Sequence, residues 1–404
     1  MRNPDTQAAS PWLSWGLAVV YLMLGFSFQS CYAILNRQMA ERLGLSATDI
    51  GIVGSTYTWC FAISQLVSGA LLDRVGARRI LPKACVLLTA GIFCFAFAGG
   101  LTGLVIAQVM VAAGSSFGFV GAGFVSRIWF SPSQYGVMFS LAQFAVSFAA
   151  FACQQTLARG LEGLPYEWVI SALGCAGLAL FAAMLLCLRD PPAQAGLHRP
   201  LGRPVMFVGE LLHNAAAVMR LPGVARIVLV GAASFGAMFS LSAVWGTRLL
   251  VAQGLPAAAA GSAVSFGWLG LALTAPLLVW WGRKYNQEKF LIMLGLVLQT
   301  LCITLLLLLK HSGPWLPGVL MFLWGAGAAA NMLPFVLAAR CAGERHTGAA
   351  MALVNCGQFI AGGLLVYIPG RLLDAGLDIG ISGALAVLPL SLLVTLAACF
   401  RLKV

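Results

Sequence analysis

The chain has 404 residues, of which 60% are hydrophobic and only 9% charged, and its mean hydropathy is +0.92. No water-soluble domain of that length carries so apolar a composition, so the sequence is that of a polytopic membrane protein. The formal net charge of +12 does not mark a nucleic-acid partner, because the basic residues follow the loops of one side rather than forming a binding stripe.

Apolar runs of about 20 residues, the length of a hydrocarbon-spanning helix, recur from end to end. Twelve such runs are found and none alternates with period two, so helices rather than a barrel cross the membrane. The short polar start MRNPDTQAAS is followed by an apolar run too long for a secretory signal and lacking a small-residue cleavage site, so the first helix is expected to be retained. That helix is read from Trp12 to Leu35, and within it Gln29, Tyr32 and Asn36 fall at helical spacing. Lipid penalises such a stripe, which places it against a cavity or another helix. The segment NRQMAERLGLSATD is read as polar loop, with Ser46 and Asp49 spaced as a capping box. The second helix, Ile50 to Leu72, carries Tyr57, Trp59 and Gln65.

Between the second and third helices lies GALLDRVGARRI, Gly69 to Ile80. Gly76 supplies a tight turn, and Arg74, Arg78 and Arg79 mark the loop as cytoplasmic. Gly69, Asp73, Arg74, Gly76, Arg78 and Arg79 together resemble the signature loop between helices 2 and 3 of the major facilitator superfamily; Ala77 stands where many members carry a basic residue or proline. The resemblance implies twelve transmembrane helices in two pseudo-symmetric six-helix bundles that work by alternating access, an all-α membrane fold. It also implies a conformational latch, with Asp73 set against the amino end of helix 11 near Thr347 and Gly348, and Arg127 pairing with the loop. Snorkelling of Arg127 at the membrane rim is the alternative.

The fourth helix is rich in glycine, at Gly114, Gly118, Gly121 and Gly123, which allows close helix contacts. The fifth, Gly136 to Leu157, shows Ser140, Gln143, Ser147 and Gln154 near one face, and the sixth ends at Arg189. Prolines, charges and histidines then interrupt the pattern, dividing the chain into a first bundle (1–189), a cytoplasmic linker (190–223) and a second bundle (224–404). Aligning Gly44 with Gly254 and Gly51 with Gly261 sets the loop GRKYNQEKF opposite LDRVGARRI, as a duplicated six-helix unit requires. On that alignment Arg283 stands where the first copy has Asp73, so the second copy lacks the acid. The remaining helices are read at 224–251, 258–282, 289–309, 315–340, 348–368 and 379–400.

With the amino terminus inside, the outer side keeps only Arg37, Arg42, Arg159, Arg248, Lys310 and Arg371 of the 24 Lys and Arg. Both termini are therefore expected in the cytoplasm of a bacterial cell, with the chain in its inner membrane. The 11 cysteines are scattered singly, with neither a disulfide frame nor metal spacing. No cofactor, metal or nucleic acid is expected, and the chain is read as a monomer in the lipid bilayer.

The superfamily resemblance implies a cavity lined mainly by helices 1, 4, 7 and 10. The candidate substrate-binding residues are Gln29, Tyr32, Asn36, Tyr57, Gln143, Trp245, Trp324, Asn331, Asn355 and Gln358. All 12 acids fall in loops or at helix ends, so no embedded carboxylate is at hand to exchange a coupling proton. Uniport, or proton coupling through a rim group such as Asp374 or Asp378 or through the solute, stays open. Arg37 and Arg248, near-equivalent under the repeat, are candidate anion contacts. Organophosphate-type members, however, carry their helix-1 arginine deeper, about where Ser30 stands. Gln29, ERLGLSATDIG and the GSSFGFVGAG run are similar to bacterial members that include phagosomal amino-acid and nucleoside importers.

The expected function is thus transport of a small polar organic solute, amino acid or nucleoside-like, by a secondary active or facilitative route, proton symport among them. The alternatives are an exporter of a metabolite, siderophore or drug, an organic-anion symporter using Arg37 and Arg248, and a receptor that binds without transport. An enzyme is not expected, since His198, His213, His311 and His346 lie in loops or at helix ends with no embedded acid.

Overall fold

The computed structural model describes residues 10–160, 164–191, 204–309 and 313–401. Arg2, His198, Arg199, Arg203, Lys310, His311, Lys403, the side chains of Arg283, Arg345, His346 and Thr347, and the surroundings of Gly348 lie outside the described residues. Among the described residues, twelve helices are long and apolar enough to cross a membrane: α1 (Pro11–Ser30), α2 (Ala47–Val75), α3 (Ala77–Ala96), α4 (Leu101–Trp129), α5 (Pro132–Gly160), α6 (Tyr166–Cys187), α7 (Val224–Ala252), α8 (Ala257–Tyr285), α9 (Glu288–Leu308), α10 (Trp315–Gly343), α11 (Ala349–Asp374) and α12 (Gly380–Phe400). Among the described residues there is no strand. The helices form two like bundles, α1–α6 and α7–α12.

Local chemistry sets the helix ends. Ser10 accepts the Leu13 amide ahead of Pro11, and Ser46 and Asp49 complete both halves of the capping box on α2. Gly76, at φ +87°, turns the chain sharply from α2 into α3. The first turn of α3 is closed by Asp190, whose carboxylate accepts from the Arg78 amide at 3.2 Å. Gly114 lets α4 lie against α3: a Cβ there would stand 2.6 Å from the Leu88 backbone nitrogen.

The repeat is visible in register. Helices α2 and α8 are both 29 residues long, start at Ala47 and Ala257, and end before positive-φ residues, Gly76 and Asn286. Two elements run past their sequence boundaries. The segment after α1 is a second helix, Tyr32–Leu43, whose Met39 is buried and which Gly44 ends in the left-handed region. Helix α11 runs on through Pro369, which has no N–H to give the Leu365 carbonyl; Ser240 Oγ takes that place at 2.6 Å.

Candidate functional site

The two bundles meet tightly toward the face that carries Asp49 and Asp374, here the distal face. A π turn at Leu241–Trp245 in α7 is central to the closure. There the Gly246 amide bonds to Leu241 O, which frees the Ser242 carbonyl. Gln154 of α5 takes it with its Nε2 at 3.0 Å and also donates to Ser30 O of α1. Asn36 Nδ2 reaches Val244 O at 2.6 Å. Along α5 and α8, Gln155 exchanges bonds with Ser262 and Ser265 at 2.8 and 2.9 Å. Along α2 and α11, Thr48 N donates to Asp374 at 2.6 Å, Trp59 Nε1 to Ile360 O at 3.3 Å, and Cys356 Sγ to Ala62 O at 3.1 Å.

Below this closure lies a chamber of about 50 Å³ lined by Tyr57, Phe61, Gln65, Ser115, Gln143, Phe235, Asn355, Gln358 and Phe359, among others. Phe61 and Phe359 face each other across the bundles at 4.3 Å between ring centroids, and Tyr57 lies parallel to Phe239 at 6.2 Å. A wider vestibule of about 420 Å³ continues toward the opposite, basic face, past Gly69, Asp73, Arg127, Tyr135 and Asn214. Gln65, Phe119, Phe335 and Asn355 line both spaces. Asn355 Nδ2 donates to Gln65 Oε1, joining α11 to α2 at the junction. Among the described residues no charged side chain lines the chamber, and Asp73 and Arg127 are the charged groups of the vestibule.

Of the ten candidates, Tyr57, Gln143, Asn355 and Gln358 line the chamber. Gln143 donates to Ser147 at 3.0 Å and Gln358 to Asn331 O at 3.2 Å. Gln29, Tyr32, Asn36 and Trp245 are buried away from the chamber, Tyr32 donating to Ile50 O at 3.2 Å and Trp245 to Val366 O at 3.0 Å. Trp324 and Asn331 are buried within the second bundle. Helical spacing places polar residues on a shared face, but it does not give their depth. The sequence reading omitted Gln65 from the site, although Tyr57, Phe61 and Gln65 stand four residues apart on one stripe of α2 and all line the chamber. Arg37 and Arg248 are not brought to the chamber. Arg37 pairs with Glu41 at 2.8 Å, and the Arg248 guanidinium lies 5.7 Å from the Trp245 ring centre, both toward the distal face.

At the basic face Arg127 of α4 forms an ion pair with Asp73 of α2, both side chains being more than half exposed. The second bundle repeats the arrangement in altered form. Arg340 of α10 binds Glu288 at 2.5 Å and Asn286 at 3.3 Å, and Glu288 is buried. At the position aligned with Asp73 the second bundle does carry Arg283, and the acid that meets its α10 arginine lies instead beyond the turn, in the first turn of α9.

Twelve membrane-length helices in two like bundles, meeting around a chamber that continues toward one face, define a polytopic membrane protein built from two like halves. The chain belongs to the major facilitator superfamily: residues 17–366 match the description of the Major Facilitator Superfamily. It is 21% identical over 193 residues to the probable galactarate/D-glucarate transporter GudP of Escherichia coli (strain K12), a match covering 46% of this chain and 43% of the relative. It is 24% identical over 200 residues to the membrane sensor protein UhpC of Salmonella typhimurium, covering 49% and 43%. These matches span less than half the length of either relative. In fold it is similar to a mutant of the nucleoside transporter NupG, with a TM-score of 0.77 at 14% identity, covering 97% of this chain and 100% of that one.

Proposed function

We propose that the chain is an alternating-access transporter of a small polar organic solute without net charge, nucleoside- or amino-acid-like, seated in the chamber between the bundles. The observation that carries this reading is the lining: amides from Gln65, Gln143, Asn355 and Gln358, hydroxyls from Tyr57 and Ser115, and facing aromatic rings, with no ionised side chain among them. Amides hydrogen-bond a polar edge and rings stack on a flat or alicyclic face. An anion entering such a chamber would lose its hydration with no cation to replace it. In this reading residues 1–189 and 224–404 are the moving units and 190–223 their linker. The basic face is cytoplasmic, with both termini on that side of a bacterial inner membrane, and the protein works as a monomer. Gly69, Asp73, Arg74, Gly76, Arg78, Arg79 and Arg127 act as the latch.

A second reading, transport of an organic anion, draws on the relative named for galactarate and D-glucarate and on Arg37 and Arg248 at the distal mouth. The two are separated by a thermal-shift panel on the purified protein spanning nucleosides, amino acids and sugar acids, since a ligand of the native state raises its apparent stability. Hits are then followed by flux into proteoliposomes with and without a pH gradient. Stabilisation by neutral or zwitterionic solutes supports the first reading; stabilisation confined to sugar acids overturns it. Binding without flux would make the protein a receptor.

A further inference from the structure

The chamber is too small as it stands for an organic solute, whose pockets run to roughly 300 Å³ or more, against about 50 Å³ here. The distal side is closed by bonds between the bundles, so room is gained where the chamber meets the vestibule. Four side chains form that junction: Gln65 of α2, Phe119 of α4, Phe335 of α10 and Asn355 of α11, two from each bundle. The rings carry no directional chemistry, whereas the amides do. Their mutual bond uses one donor and one acceptor. A carboxamide pair joined by one bond leaves the carbonyl oxygen of the donating amide and the whole NH2 of the accepting amide unshared, side by side, and this holds whichever way the two amides are turned.

We infer that Gln65 and Asn355 determine specificity, presenting an adjacent donor and acceptor that select solutes with a complementary acceptor–donor edge. Such an edge is a lactam or ureide, as in a pyrimidine base, or a primary carboxamide. The inference rests on the reading of the chamber as the solute site. A carboxylate offers two acceptors and meets a like group at one of the two positions; a methylated ring nitrogen loses the donor. The solute reads the pair while it stays joined, seating on the NH2 of one amide and the C=O of the other that the mutual bond leaves over at the chamber floor.

The test uses the full-length protein in detergent, with uridine, 3-methyluridine and galactarate as probes, read by ligand-induced thermal shift across a concentration series. Uridine is expected to bind at least tenfold more tightly than 3-methyluridine. In Gln65→Leu and in Asn355→Leu the two nucleosides should differ by less than about twofold. The exchanged pair Gln65→Asn/Asn355→Gln keeps both amides and the combined side-chain length, so it should keep the discrimination even if the leucine variants fold poorly. Uridine binding with equal binding of 3-methyluridine, or discrimination that survives both leucine variants, overturns the role of these residues and leaves the chamber reading standing. Galactarate binding with no response to uridine overturns the chamber reading, and this inference with it.

Discussion

Replacement of Gly370 by alanine is expected to drive the protein out of the conformation seen here. A Cβ at Gly370 of α11 would stand 2.5 Å from the carbonyl oxygen of Ala47, 3.1 Å from its carbon and 3.3 Å from the Thr48 Cα, all backbone atoms of α2 in the other bundle. No rotamer relieves a clash with backbone, so the helices must part, and overpacking of this kind costs about 1–3 kcal/mol. The neighbouring bond from Thr48 to Asp374 would lengthen as they do. The clash exists only while the distal face is closed, so the cost falls on that state alone. It shifts the balance toward a distal-open state by about 5- to 150-fold. The assay is the rate at which a membrane-impermeant thiol reagent, applied at the distal face, labels Gln143→Cys in the chamber. The same protein without that cysteine gives the background. Gly16, whose Cβ would meet nothing within 4 Å, is the control, and Gly16→Ala should label at the parental rate. Labelling of Gly370→Ala at the parental rate, with normal yield and folding, would refute the assignment of this contact to the closed state.

Three further outcomes are expected. Asp73→Asn should slow flux several-fold while leaving solute affinity within about twofold, measured by transport and thermal shift on the same preparation; an unchanged rate would remove Asp73 from the latch. Arg340→Ala leaves Glu288 buried without its cation and should destabilise the protein by about 3 kcal/mol, the lower end for a broken buried pair because Arg340 is itself half exposed. Much of that loss should return in Arg340→Ala/Glu288→Gln, read by thermal unfolding. Arg248→Gln should leave affinity for a neutral solute unchanged, whereas a tenfold loss would support the organic-anion reading.

The sequence disclosed the fold more fully than the site, for physical reasons. Spanning helices are legible because lipid forces about 20 apolar residues into each and tolerates no unpaired backbone. The repeat was legible because Gly44 and Gly254, and Gly51 and Gly261, stand at one offset that also sets the two short basic loops opposite each other; the equal lengths of α2 and α8 then bear it out. Tyr57, Gln143, Asn355 and Gln358 were identifiable as polar or aromatic groups on helix faces that lipid would reject. Gln29, Asn36 and Trp245 satisfy the same criterion, yet they are buried away from the chamber, Asn36 in the contact between bundles. That difference is set by the depth at which two bundles touch, which neither spacing nor hydropathy encodes. The phenylalanines were illegible for the opposite reason: Phe61 and Phe359 read like any lipid-facing ring until each is placed beside the other across the bundles. The π turn in α7 leaves no sequence signal, although it supplies the carbonyl that Gln154 requires.

The division of labour between charged and neutral contacts carries a last prediction. Among the described residues, the ion pairs Asp73 with Arg127, Glu288 with Arg340, Arg42 with Glu167 and Arg37 with Glu41 each join residues of one bundle. The bonds that cross between bundles are mostly neutral: Asn36 to Val244, Gln154 to Ser242, Gln155 to Ser262, Trp59 to Ile360 and Gln65 to Asn355. Each is worth about 1 kcal/mol net, because water replaces it when the bundles part. Such contacts let two bodies rock against each other without a deep energy minimum, while ion pairs hold the helix ends within each body. The carboxylate of Asp374 also crosses, to Thr48, but pairs there with a backbone amide. Salt screens exposed charges within a few ångströms at 1 M but has little hold on neutral hydrogen bonds. The rate of labelling Gln143→Cys from the distal face should therefore change by less than about threefold between 0.05 and 1 M salt, after correction for the reagent's own salt dependence on a free thiol. A change of tenfold or more would mean that charges set the balance between states, and that the closure is not the neutral seam described here.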